Sequence, residues 1–153
     1  MRAMQTIAIA ERNSWLLDIA LDHLILGRAA LYLSILDASN RVHRESAIGN
    51  INAAVNGLRA AGQQDDLPRG LLTRAWLHSL ENDIPGSRAD LDEAFQIAER
   101  GSMPLHLADV HLHRARLFHN KQELLKSHAI IEKCGYWRRR EELDDAEEDA
   151  VNW

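Results

Sequence analysis

An all-α fold assembled from helix pairs is predicted for this chain, and three observations carry the prediction. Alanine, leucine, glutamate and arginine dominate, which favours helix, while runs rich in Val, Ile and Thr are few, which leaves strands little support. Glycines close several amphipathic windows, at Gly62, Gly101 and Gly135, where a left-handed helix cap belongs. The stretch Ile-Ala-Glu-Arg occurs twice, at Ile9–Arg12 and Ile97–Arg100, as the tail of a recurring helix would.

Apolar residues recur at helical spacing over eight windows, near 2–12, 14–36, 43–61, 68–81, 85–100, 104–119, 122–134 and 137–151. Ser14 stands where it can cap the second. Pro68, Pro85 and Pro104 open later windows, where a missing N–H costs nothing. The short connections imply antiparallel hairpins. In the third and fifth windows Ile51 matches Leu91, Ala54 matches Ala94 and Val55 matches Phe95. The second, fourth and sixth windows carry a small residue three positions after a leucine: Leu24/Gly27, Leu72/Ala75 and Leu112/Ala115. About forty residues separate Ala54 from Ala94, a period typical of helix-pair repeats.

Composition bounds the function. The chain has 153 residues, enough for one domain, and a formal net charge of −5. That balance argues against non-specific nucleic-acid binding. The single cysteine, Cys134, cannot form an internal disulfide and reads as a reduced, buried or half-buried thiol. The N-terminal apolar run is short and lacks a small-residue cleavage site, so it does not read as a secretory signal. No apolar run reaches the roughly 20 residues of a membrane span. A cytoplasmic location and no membrane partner are the expectations.

The chain resembles the tetratricopeptide repeat family, from Trp15 onward and most closely over Leu67–Tyr136. The second-helix region around Asn82-Asp83, Leu91, Ala94, Phe95 and Pro104 is similar to the pattern of that family. The likeness is greatest to bacterial versions with lengthened helices, often appended to signalling NTPases and regulators. It implies a right-handed solenoid of antiparallel helix pairs, about three repeats long, within a single domain over 1–153. The divisions are a half repeat at 1–12, repeats at 14–62, 67–101 and a shortened 104–135, and a capping helix at 137–151. Two residues depart from the pattern. The family favours a large apolar residue just before the small one; Leu26 obeys, but Arg74 and Arg114 do not. The chain would begin part-way through a repeat, as a fragment or relic of a longer array. The edge of its first helix (Met4, Ile7, Ile9) would then be open to upstream repeats or to a second copy.

Candidate chemistry is sparse. His106, Asp109 and His113 share one helical face at i, i+3 and i+7, and such a set can bind zinc or iron. The run lacks the His-Glu-x-x-His arrangement, and a solvated polar face is the preferred reading. The acidic tail Glu141–Asp149 reads as the outer face of a cap, paired to Arg138, Arg139 and Arg140. The segment Gly57–Asp65 has two glycines but no Gly-Lys-Ser or Gly-Lys-Thr ending, and no Gly-x-Ser-x-Gly elbow occurs. Neither an enzyme nor a cofactor or metal is expected.

The resemblance implies a concave groove lined by the first helix of each pair. Its positions fall six before, one after and four after the small residue. Here they are Leu21, Arg69 and Asp109; Arg28, Trp76 and Arg116; and Leu31, Ser79 and His119. The polar and aromatic members expected to bind a peptide are Arg28, Arg69, Trp76, Ser79, Asp109, Arg116 and His119. Arginine forks suit carboxylates, so an acidic or C-terminal segment of a protein partner fits. Trp76 can serve as an aromatic anchor or as core, since Leu72 and Leu80 lie on its side. A helix phase shifted by one residue would present Arg74, His78 and Arg114 instead. The alternative function is a ligand-sensing or regulatory domain split from a signalling NTPase or transcription regulator, which would need a closed pocket.

Overall fold

The computed structural model describes residues 6–7, 15–37 and 39–153. The expected helix over 2–12, the first Ile-Ala-Glu-Arg copy and the Ser14 cap lie outside the described residues, save for Thr6 and Ile7, which are helical. Seven α-helices follow: α1 (Leu16–Leu36), α2 (Arg41–Ala60), α3 (Leu67–Leu80), α4 (Ile84–Arg100), α5 (Pro104–Phe118), α6 (Lys121–Cys134) and α7 (Arg140–Asp149). Single 3₁₀ turns at Trp137–Arg139 and Ala150–Asn152 flank α7. The described residues contain no strand.

Local chemistry sets the helix starts. Asn40 accepts from the Val42 N–H, Asp83 from Gly86, and Asn120 from Gln122 and Glu123, each satisfying orphan donors of the first turn. Among the helix ends, Gly62 (φ +69°) and Gly135 (φ +64°) take the expected left-handed conformation. Gly101 does not: its φ is −81°, and the next residue, Ser102, turns left-handed instead at φ +51°. A Cβ on Gly101 would stand a tight 3.2 Å from the Ile97 carbonyl oxygen, while the nearer tip of Met103 can swing aside.

The helices pair as α1 with α2, α3 with α4 and α5 with α6, and successive pairs stack through α2 on α3 and α4 on α5. This is the predicted solenoid of three helix pairs with a terminal helix. The small residues explain how closely the pairs approach. A Cβ on Gly27 would stand 2.7 Å from Ile51 Cγ1, and one on Gly57 would stand 2.8 Å from the Ala20 Cβ. The Leu-x-x-small signature recurs a fourth time in α7, as Leu143 and Ala146, both fully buried against α5 and α6. The cap therefore packs as the first helix of a fourth pair would. Its counterparts Leu24, Leu72 and Leu112 are 1–4% exposed.

Helix α1 carries apolar residues on its outer as well as its inner face. Its inner face (Ala20, Leu24, Gly27, Leu31) packs on α2, yet Ile25, Leu33 and Leu36 on the outer face are exposed. By length and composition alone Leu16–Leu36 qualifies as a membrane-span candidate, which corrects the expectation that no segment of the chain does. The thiol of Cys134 is exposed rather than buried.

Candidate functional site

The expected site residues divide between two places. The first lies where α1 meets α3. The Arg28 guanidinium donates through Nε to Thr73 Oγ1 at 2.9 Å and through Nη2 to the Arg69 carbonyl at 3.1 Å. The Thr73 hydroxyl is fixed in turn by donating to the same carbonyl. Both partners of Arg28 are neutral. Among the described residues no carboxylate lies within ion-pair distance of it, although burial, and then the neighbouring Arg69, lowers its pKa below the ordinary value. Arg69 is half-exposed and paired to Asp66 at 2.8 Å. One turn beyond Arg28, Tyr32 meets the edge of Trp76, with ring centroids 5.4 Å apart. Tyr32 is 57% exposed, and Trp76 is partly buried against the cluster of Leu31, Ile51 and Leu77. Trp76 thus packs on the core with one side and keeps another open.

The second place runs along α5 from Asp109 to its C-cap, His119. Asp109 is buried, and its carboxylate is taken by Arg139 Nε at 2.7 Å and by the Tyr136 hydroxyl at 3.3 Å. Burial works against the charge of Arg139, but Asp109 and Glu142 outweigh it and raise the guanidinium pKa. His119, left-handed at φ +49°, stacks on Trp153 with centroids 5.4 Å apart. Two expected groove positions are therefore held by the chain's own C-terminal segment. Arg116 is exposed and Ser79 half-buried, and neither contacts the Arg28 group.

The residues of the shifted phase face elsewhere. Arg74 forms a two-pronged pair with Asp90 of α4 at 2.6 and 2.8 Å, and His78 Nδ1 lies 2.9 Å from Asp83. Arg114 reaches Asp92 at 2.5 Å and lies over the Phe95 ring. Arg74 thus fills the space between the two helices of one pair, whereas Arg114 bridges from α5 to α4 of the preceding pair; at both positions the resembled pattern has a large apolar side chain.

His106, Asp109 and His113 do not converge on a metal site. His106 Nε2 engages the Asp65 carbonyl, and His113 Nδ1 engages the carbonyl of Asp109 rather than its carboxylate. The described residues hold no group of three or more potential metal ligands. The acidic tail is partly self-paired, Arg139 to Glu142 and Arg140 to Asp144, as expected. Sequence reasoning missed Tyr32 and Thr73. The signal for Tyr32 was its place four residues after Arg28.

One pair of histidines makes this end sensitive to pH. His128 of α6 bonds Glu147 of α7 through Nδ1, and its Nε2 lies 3.3 Å from Glu132. Glu147 chiefly, against desolvation, holds the imidazole pKa above 6.5. The contact thus contributes fully below the unfolded value of about 6.5 and fades as pH rises through the raised folded value. His113 acts in the opposite sense. Its ring is desolvated although the residue as a whole is only half-buried, which lowers its pKa, so its contribution is lost as pH falls. His128→Gln should lower the urea midpoint at about pH 5.5 and leave it nearly unchanged at about pH 9. An equal gap at both pH values would rule out the charged contact.

No family model, curated relative or solved structure matches the chain.

Proposed function

We propose that the chain is a non-catalytic interaction module of the tetratricopeptide kind that binds a peptide segment of a protein partner along the face of its first helices. A helical-repeat scaffold suits that role, because stacked pairs present an extended surface without a reactive constellation. The observation that carries the reading is Arg28. Its guanidinium is held in place by Thr73 and the Arg69 carbonyl, yet no carboxylate among the described residues lies within ion-pair distance; Asp109, itself paired to Arg139, acts on it only from farther off. A guanidinium has five donors, and Arg28 spends two on neutral oxygens. A carboxylate arriving with a ligand would supply the missing counter-charge, with Arg69 beside it and the Tyr32–Trp76 pair as an aromatic wall. A cytoplasmic setting is part of this reading.

The test is affinity capture with the purified chain beside a variant carrying Arg28→Glu, Arg69→Glu and Arg116→Glu, both confirmed folded by circular dichroism and thermal melting. Wild type should retain a partner whose binding maps to one acidic peptide, and the variant should lose it by tenfold or more. A partner held equally by both would move the interface off this face.

A further inference from the structure

Helices α1 and α2 are longer than the pair stacked on them, and the difference shapes a second feature. Past its small residue Gly27, α1 continues to Leu36, while α3 ends at Leu80, five residues past Ala75. The first hairpin therefore overhangs the second by about four residues, roughly 6 Å at 1.5 Å per residue. Beneath the overhang lies a notch of about 620 Å³ between α1, α2 and α3. Its floor is apolar: Leu31, Ile35, Ile48, Leu77 and Leu80. Ile35 and Leu80 remain 44% and 48% exposed within it. Arg44 and Glu81 pair across its rim at 3.2 Å and neutralise each other. The notch is open to solvent, with Ser34, Asn40, Arg41 and Glu45 around the apolar floor, and it is that floor that offers a bulky apolar group burial.

Arg28, Tyr32 and Ile35 stand at i, i+4 and i+7, on a single stripe of α1. Seven residues of helix separate the Arg28 backbone from the notch wall by about 10 Å. Between them stands Tyr32, edge-on to Trp76. One stripe thus presents a cation with no carboxylate within ion-pair distance among the described residues, an exposed aromatic step and a notch with an apolar floor, in that order.

From this juxtaposition we infer that the ligand is a peptide that sets a carboxylate on Arg28 and a bulky apolar side chain in the notch, the spacing of the two ligand residues following the Arg28–Ile35 backbone rise of about 10 Å. The inference rests on the peptide-binding reading above and adds a specificity rule to it. At about 3.3 Å per residue, the two groups stand three residues apart in an extended ligand. In a helical ligand they stand seven apart. Charge complementarity selects the occupant: a second copy of this stripe would set Arg28 and Tyr32 against themselves and bring no carboxylate to either guanidinium. The carboxylate is an acidic side chain or a chain terminus, and both satisfy the same fork.

The experiment selects binders to the immobilised full chain from a displayed library of random twelve-residue peptides. The enriched sequence is then made synthetically, with a free or an amidated C-terminus, and its binding followed by fluorescence anisotropy. Enrichment of Asp or Glu three or seven residues from Leu, Ile, Met, Phe or Trp is the expected result. Amidation that leaves affinity unchanged identifies a side-chain carboxylate, and amidation that costs tenfold or more identifies the terminus. Leu80→Glu, a change at a half-exposed position, should weaken the selected peptide by tenfold or more. Arg28→Gln should abolish selection for the acid while keeping selection for the apolar residue. Binders that ignore Leu80→Glu but lose affinity with the arginine variants would overturn the notch and leave the peptide-binding reading standing. Failure to enrich any peptide would overturn both.

Discussion

Asp90→Ala should destabilise the protein by about 3–5 kcal/mol, the cost of leaving one partner of a buried ion pair alone. For a chain of this size that corresponds to a fall in Tm of about 6–20 °C. The side chains of Arg74 and Asp90 are only 14% and 6% exposed, and two short hydrogen bonds join them. The bond to Asp90 raises the Arg74 pKa against the pull of burial; without it the guanidinium stays charged, as arginine does in proteins, and has lost its hydrogen-bonded carboxylate. His78 Nε2, 3.7 Å from the same carboxylate, offers no replacement.

The companion variant decides what the pair is for. Replacing both partners, Arg74→Leu with Asp90→Leu, should recover most of the loss, because apolar groups of similar volume avoid the desolvation that the ion pair incurs. Chemical denaturation of wild type, single and double variants gives the comparison. A single variant that costs less than about 1 kcal/mol would mean that water reaches the pair, as it does for surface bridges. A double variant as damaged as the single one would mean that the pair fixes how α3 and α4 seat on each other, and not merely the balance of charge.

This pair also marks where the sequence stops being legible. The helix windows, the small residues at Gly27, Ala75 and Ala115, and the pairing of neighbours follow from periodicity and turn chemistry, which are local. Arg74 and Arg114 stand out by themselves as polar residues at an apolar position. Their partners Asp90 and Asp92 are sixteen and twenty-two residues away; the register within a pair brings the first together, and the stacking of one pair on the next brings the second. The same holds at Asp109. Its place on the first-helix stripe is readable, but its capture by Arg139, thirty residues on, is not. At Arg28 the residue and its neighbours Arg69 and Trp76 were visible, but its bond to Thr73 and the step formed by Tyr32 were not. The notch escapes sequence reasoning altogether, because it arises from a difference in length between two hairpins and not from a pattern within either.

Leu143→Ala should cost about 2–5 kcal/mol, the range for emptying a fully buried leucine site. The effect should also reach beyond α7. Leu143 packs with Ala108, Leu112 and Ile131, so the cavity opens beneath the cap in the core of the last pair. If the cap lifts, Arg139 leaves with it, and Asp109 is left in a setting that only 5% exposure connects to solvent. An unpaired buried carboxylate is costly, which ties the opening of α7 to the stability of α5. Leu143→Ala and Arg139→Gln should therefore not add. Each releases part of the same latch, and the double variant should fall short of the sum by about 0.5–3 kcal/mol, the range for coupled neighbours. Amide exchange in α5 should quicken in either single variant along with exchange in α7. If the two losses add to within about 0.5 kcal/mol and α5 keeps its protection, the cap docks through its apolar face alone. The Asp109–Arg139 contact would then be incidental to how the last helix pair is closed.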